Sequence, residues 1–199
     1  MKLLCFALPL IACSPAAPPQ AEHAATAPSR EPVAAFETVR AVLQSPRCVN
    51  CHPAGDVPLQ GDDRHLHQPL IKRGAEGRGV AGLSCAACHG VANTPASYGE
   101  HMPPGVSTGW RLPPAKHPMV FAGLTSAALC EQLKDPERNG GKSMAALVQH
   151  VSADPLVLWG WSPGYARKPV PVAHDEFVRA FKTWSDAGAP CAARTASNP

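Results

Sequence analysis

The sequence predicts an all-α fold class: a compact helical domain whose helices are separated by long irregular connections. Three observations predict it. Four segments carry helical apolar periodicity, the 199 residues include 23 prolines and 16 glycines, and two short Cys/His clusters lie inside the irregular part. At this length the chain holds one domain, or two small lobes sharing a core. The formal charge of +3 is mild and unclustered, with no basic run interleaved with aromatics, so no nucleic-acid partner is expected.

The first periodic segment runs from Val33 to Gln44, with Phe36, Val39 and Leu43 on one face and Glu37 and Arg40 off it. Ser45-Pro46 ends it, because proline cannot continue a helix. Residues 53–80 and 90–118 lack helical periodicity and are read as loops. Leu124 to Lys134 is a second helix, stopped by Asp135-Pro136. Ser143 caps a third, with Met144, Leu147, Val148 and Val151 at i, i+3, i+4 and i+7. Trp159-Gly160-Trp161 is read as a turn packed on the core. The last helix covers about Asp175 to Ala187, presents Phe177, Phe181 and Trp184 together, and stops at Gly188.

The two clusters are Cys48-Val-Asn-Cys51-His52 and Cys85-Ala-Ala-Cys88-His89. Each is C-x-x-C-H, the attachment signature of a c-type haem. Two thiols at that spacing add across the two vinyl groups of one haem, and the next residue offers an imidazole to the iron. Zinc and thiol redox sites also use paired C-x-x-C, but neither requires His after the second Cys. His is 9 of 199 residues, so two such histidines arise by chance with a probability of roughly 0.2%. The 33 residues between the two C-x-x-C units also exceed the roughly 15–20 of common zinc ribbons. Two covalent haems c are therefore expected, on Cys48, Cys51, Cys85 and Cys88, with His52 and His89 as proximal iron ligands. The motifs start only 37 residues apart, too close for two tandem haem domains, so the haems are expected to lie near one another and share loops.

Eight cysteines are present, and four belong to these motifs. Cys5 and Cys13 fall in a leader, leaving Cys130 and Cys191. An even remainder in an exported protein points to a disulfide between them, with two inert buried thiols as the alternative. Residues 1–12 read as a short signal peptide, too short to span a bilayer. Its end, Leu10-Ile11-Ala12-Cys13, resembles the lipobox of bacterial lipoproteins, which implies lipidation at Cys13. Residues 13–32 are then a lipid anchor and Ala/Pro-rich tether, and residues 33–195 the dihaem domain. Ser14 after the cysteine resembles outer-membrane sorting, so the expected location is the periplasmic side, on the outer membrane.

The sixth iron position takes His or Met in most such proteins. Met144 lies on a helix's apolar stripe and is read as core; His150 and His174 are read as helix-terminal residues. His67 is the preferred distal ligand for the first haem, with His65 beside it as runner-up. For the second haem Met119 is preferred over Met102, because it lies farther beyond His89 and has more reach.

A helix with a buried aromatic feeding directly into C-x-x-C-H, and an aromatic C-terminal helix, resemble class I cytochromes c. Several stretches carry a narrower resemblance. They are Cys48-Val-Asn-Cys51-His52-Pro-Ala-Gly-Asp, Gln60-Gly61-Asp62-Asp63, Arg73-Gly74, Gln132-Leu-Lys-Asp-Pro-Glu-Arg-Asn-Gly-Gly141 and Asp154-Pro-Leu-Val-Leu-Trp-Gly-Trp161. Together, over residues 36–191, they resemble small bacterial dihaem proteins labelled as an isoquinoline 1-oxidoreductase subunit. The resemblance implies a cytochrome c-like domain that accepts or relays electrons from a molybdenum hydroxylase acting on N-heterocycles. This chain lacks the C-x₄-C-x₂-C spacing of a plant-type [2Fe–2S] subunit, so its own redox role would rest on haem. No catalytic residue is expected. The competing expectation is a dihaem redox enzyme, a peroxidase or a sulfur-compound dehydrogenase, with one open iron position.

Overall fold

The structure, a computed structural model, describes residues 30–193. The expected leader, Cys13 and the expected tether up to residue 29 lie outside the described residues. Regular structure is mostly helical: α1 (Arg30–Leu43), α2 (Pro46–Val49), α3 (Ser126–Lys134), α4 (Met144–Ala153), α5 (Pro155–Leu158) and α6 (His174–Asp186). Two short antiparallel ladders sit in the first long loop, β1 (Leu59–Gln60) with β2 (His65–Leu66) and β3 (Gly79–Val80) with β4 (Leu83–Ser84). Among the described residues no helix is long and apolar enough to cross a membrane.

Residues 30–32, expected in the tether, are already helical as part of α1. Pro32 is tolerated because the first helical turn has no intrahelical use for its missing N–H. Pro32, Phe36, Val39, Val42 and Leu43 are buried, a stripe at helical spacing. Helix α6 offers the complementary stripe of Phe177, Ala180, Phe181 and Trp184. The two meet at Phe36 and Trp184, whose ring centroids are 4.8 Å apart, and Phe181 closes edge-on to Trp184 at 5.4 Å. The Trp184 indole N–H is satisfied by the Pro190 carbonyl at 3.0 Å. Thr125 caps α3 and Ser143 caps α4, each hydroxyl accepting from the backbone N–H three residues on. A Cys130–Cys191 disulfide ties α3 to the chain beyond α6.

Irregular chain is held by side chains reaching backbone carbonyls. Arg73, 2% exposed, donates to the carbonyls of Pro113 (2.9 Å), Pro118 (3.3 Å) and Gly55 (3.1 Å), with Asp56 at 3.7 Å. One guanidinium thus ties three loop segments together through its fixed fork of donors. Gly77 lies at φ +72, where a Cβ would run into the Leu112 carbonyl, and its own carbonyl accepts from Leu112 N at 2.8 Å. Only glycine permits that approach.

The α1–α6 contact generates a prediction. Phe36→Ala should cost about 3–5 kcal/mol by emptying a filled core site. Tyr98→Ala, at a residue 70% exposed, should stay within about 0.5 kcal/mol. Urea unfolding followed by far-ultraviolet circular dichroism compares the two.

Candidate cofactor sites

Both Cys/His motifs fold as one tight helical turn. In the first, the His52 N–H donates to the Cys48 carbonyl at 3.1 Å; in the second, the His89 N–H donates to the Cys85 carbonyl at 2.9 Å. Residues four apart on such a turn share a face, which places each leading thiol on the side of its motif histidine.

The two imidazoles are held alike. His52 Nδ1 is 2.7 Å from the Met119 carbonyl, and the ring stacks on Phe121 at 3.9 Å with a 12° tilt. His89 Nδ1 is 2.8 Å from the Pro104 carbonyl, and the ring stacks on Trp110 at 4.8 Å with a 4° tilt. A carbonyl only accepts, so each Nδ1 must carry the proton and each Nε2 a lone pair. Burial pushes the His52 pKa down to about 4, against the opposing Met119 carbonyl, and burial lowers that of His89 too. Both are therefore neutral imidazoles near pH 7, the form that binds metals. Neither Nε2 has a hydrogen-bond partner among the described residues.

Met119 sits at φ +43, a left-handed conformation costly for a side chain with a Cβ. The bonds around it keep it there. Phe121 N donates to the His52 carbonyl, Gln44 Nε2 to the Phe121 carbonyl and the buried Gln132 to the Val120 carbonyl.

Each motif opens on a cavity, of about 500 Å³ beside His52 and about 640 Å³ beside His89. Both volumes lie in the roughly 300–1,000 Å³ range of cofactor sites. Five residues, Arg47, Cys51, Trp110, Leu112 and Trp159, line both cavities, so the sites share one wall. Trp110 and Trp159 meet edge to face there at 4.8 Å. The Arg47 side chain is 2% exposed; its Nη2 donates to Asp62 at 2.6 Å and to the Gly61 carbonyl at 3.1 Å. Its Nε is buried with no partner. A buried cationic donor left unpaired is costly, and it suits an acidic group on whatever fills the cavity.

These features fit a haem at each motif. Each site offers two free thiols, an imidazole with a bare Nε2 and a cavity of suitable size, and the orphaned Arg47 Nε could receive a propionate. Burial pushes the thiol pKa of Cys48 up to about 11 and of Cys51 up to about 12, the opposite of what a thiolate redox motif needs. Nor do three or more His, Cys, Asp or Glu side chains converge as a metal-ion site among the described residues, as a zinc ribbon would require.

The two preferred distal residues change places. His67, expected at the first motif, lines the His89 cavity, with ring centroids 5.9 Å apart. Met119, expected at the second motif, lines the His52 cavity and holds that imidazole through its carbonyl. The reason is the loop path: the β1–β2 hairpin turns toward Cys85, while the segment around Met119 is hydrogen-bonded to the first motif. His65 also lines the His89 cavity but is exposed, its Nδ1 on Asp63 at 2.6 Å. Met102 lines neither cavity, and its carbonyl accepts from Arg167 at 2.5 Å. His150, read from sequence as a helix-end residue, lines the His52 cavity with Nδ1 3.1 Å from Asp154.

Arg47, Phe121 and Trp110 were not legible as site residues. Arg47 left a faint signal, a charge between a proline and the first motif cysteine. Phe121 and Trp110 left none, since they arrive from loops distant in sequence.

No known protein family, curated protein or solved structure matches this chain.

Removing the carboxylate that pairs with Arg47 should be felt. Asp62→Ala leaves the buried Arg47 charge without its acidic partner and should destabilise the protein by about 1–3 kcal/mol. Paired urea titrations of the variant and wild type measure it.

Proposed function

We propose that this chain is a dihaem c-type cytochrome that carries electrons on the periplasmic side of a membrane, held there by acyl chains on Cys13. One observation carries the reading. Two motifs with different intervening residues hold their histidines by the same device: Nδ1 on a backbone carbonyl, one ring face on an aromatic, and Nε2 bare. That arrangement fixes the tautomer and aim of an iron ligand, as an outer-shell partner does at metal sites.

Bound haem supplies one-electron exchange at its iron. The chain's own residues do the rest. Cys48 and Cys51 at one site, and Cys85 and Cys88 at the other, tether the group covalently. His52 and His89 present neutral nitrogens, and the Met119 and Pro104 carbonyls stop the rings from rotating. Trp110, Trp159 and Leu112 keep water out of the shared wall, while Arg47 places positive charge beside both cavities, which favours the reduced state of each. The α1–α6 pair, with its buried aromatics, supports a class I cytochrome c-like arrangement around the first motif.

The donor we infer is a molybdenum hydroxylase of isoquinoline 1-oxidoreductase type, with this chain as its electron acceptor or relay. The support is the set of loop stretches that resemble that subunit family. Among them, Trp159 belongs to the shared wall, and Asp62 is the ion-pair partner of Arg47 in that wall.

Two haems per chain are expected by pyridine haemochrome assay on the membrane fraction of cells expressing the full sequence. Cys85→Ala/Cys88→Ala should halve the count, and Cys13→Ser should move the haem protein to the soluble fraction. Fewer than two haems in the wild type would sink the reading. Peroxide or cyanide binding by either ferric haem would shift it toward a dihaem redox enzyme.

A further inference from the structure

We propose that His67 closes the second iron site from the face opposite His89, making that centre a bis-imidazole one; the inference rests on the dihaem reading and deepens it. Two imidazoles on opposite sides of one first-row metal, each nitrogen at about 2 Å, hold their ring centroids about 6 Å apart. His67 and His89 are 5.9 Å apart with a 40° angle between their planes. Both rings border the same cavity, together with Cys85 and Cys88.

Their protons are arranged for it. His67 Nδ1 is 2.9 Å from the Pro69 carbonyl, as His89 Nδ1 is 2.8 Å from that of Pro104. Each carbonyl demands the Nδ1–H tautomer and leaves a lone pair on Nε2. Neither Nε2 finds a protein partner among the described residues.

The backbone carrying His67 is held as well. His67 N donates to the Pro58 carbonyl at 2.9 Å, and Gln68 N to the Gln60 side chain at 3.0 Å. The β1–β2 ladder fixes the residues just before it. Of the rivals, His65 is engaged by Asp63 and Met102 lies outside the cavity. His101 also borders it but is 74% exposed, with Nε2 4.0 Å from Glu100 and no carbonyl among the described residues fixing its ring. A second His in place of Met tends to lower a haem's potential, so the second centre would be the lower of the pair if the first takes a Met or weaker ligand.

The test uses the purified full-length protein, ferric and free of added ligand. Haem is counted by pyridine haemochrome, and ligation is read by electron paramagnetic resonance and near-infrared magnetic circular dichroism. His67→Ala should keep two covalent haems per chain while half of the haem turns high-spin, and added imidazole should return that half to low spin. His67→Met should keep it low-spin, replace a His–His signature by a His–Met one and raise one potential. His65→Ala should change neither spectrum.

The affected centre is located with Cys88→Ala, which leaves a vinyl group on the second haem alone and shifts its α band. The ligand loss must fall on the shifted component. Two haems retained in His67→Ala, both low-spin with unchanged near-infrared bands, would overturn the proposal, as would ligand loss on the unshifted component. Fewer than two haems in the wild type would instead defeat the dihaem reading itself. If His67→Ala fails to accumulate, His67→Met decides alone: an unchanged His–His signature rules His67 out.

Discussion

The bond from an imidazole Nδ1 to a backbone carbonyl is the constraint around which this chain closes. A buried histidine cannot leave its ring N–H unpaired without a cost of about 1–3 kcal/mol, so each motif histidine must be met by an acceptor. At both motifs the acceptor comes from a distant loop: Met119 is 67 residues beyond His52, and Pro104 is 15 beyond His89. Satisfying the imidazoles therefore folds the irregular chain. Met119 takes a left-handed conformation to aim its carbonyl, and Gln44 and Gln132 hold the next two carbonyls of the same segment. Gln132 in α3 and Gln44, the residue just past the end of α1, thus couple both helices to the first site. What looks like loop in the sequence is structural support for the site.

The second organising feature is the wall common to both cavities. Cys51 lies in that wall, so the first motif's second thiol borders the second cavity as well. Arg47 stands beside it with its guanidinium carbon 5.8 Å from the Trp159 ring centroid. Burial lowers the Arg47 pKa from its ordinary value and Asp62 opposes that shift; an arginine still stays charged under such conditions. A charge so placed acts on both sites at once, through a low-dielectric wall where Coulomb terms are several-fold stronger than in water. Under the dihaem reading the two potentials would then respond together to changes at Arg47, whereas changes at His67 would move one.

Much of the helical frame was legible because burial leaves a period in the sequence. The stripe Phe36, Val39, Leu43 and the stripe Phe177, Phe181, Trp184 both repeat at helical spacing, and Ser143 marks a start that a capping oxygen requires. Helix α3 instead starts at Ser126 behind its Thr125 cap, two residues after the expected Leu124. The motifs were legible because C-x-x-C-H is a local pattern of residue types that needs no knowledge of the fold to read. The exchange of His67 and Met119 between sites was not legible, for a physical reason. Chain distance predicts proximity only where the chain is regular. In a segment rich in Pro and Gly, direction is set by contacts such as Arg73 to three carbonyls, and carbonyls have no residue identity to read.

The same reasoning explains why the two sites, so alike in how they hold their histidines, differ in setting. The His52 cavity is walled by the helical core, with Leu147, Val151, Phe177 and Phe181 on its far side, so its surroundings are set by α4 and α6. The His89 cavity is walled by loop, with the exposed segment around His65 and Pro69 on its rim. Apolar burial disfavours the charged oxidised form of a redox centre, and water access relieves that penalty. Under the dihaem reading, one centre would sit beside the helical core and the other beside loop, with a single wall of Cys51, Trp110 and Trp159 between them.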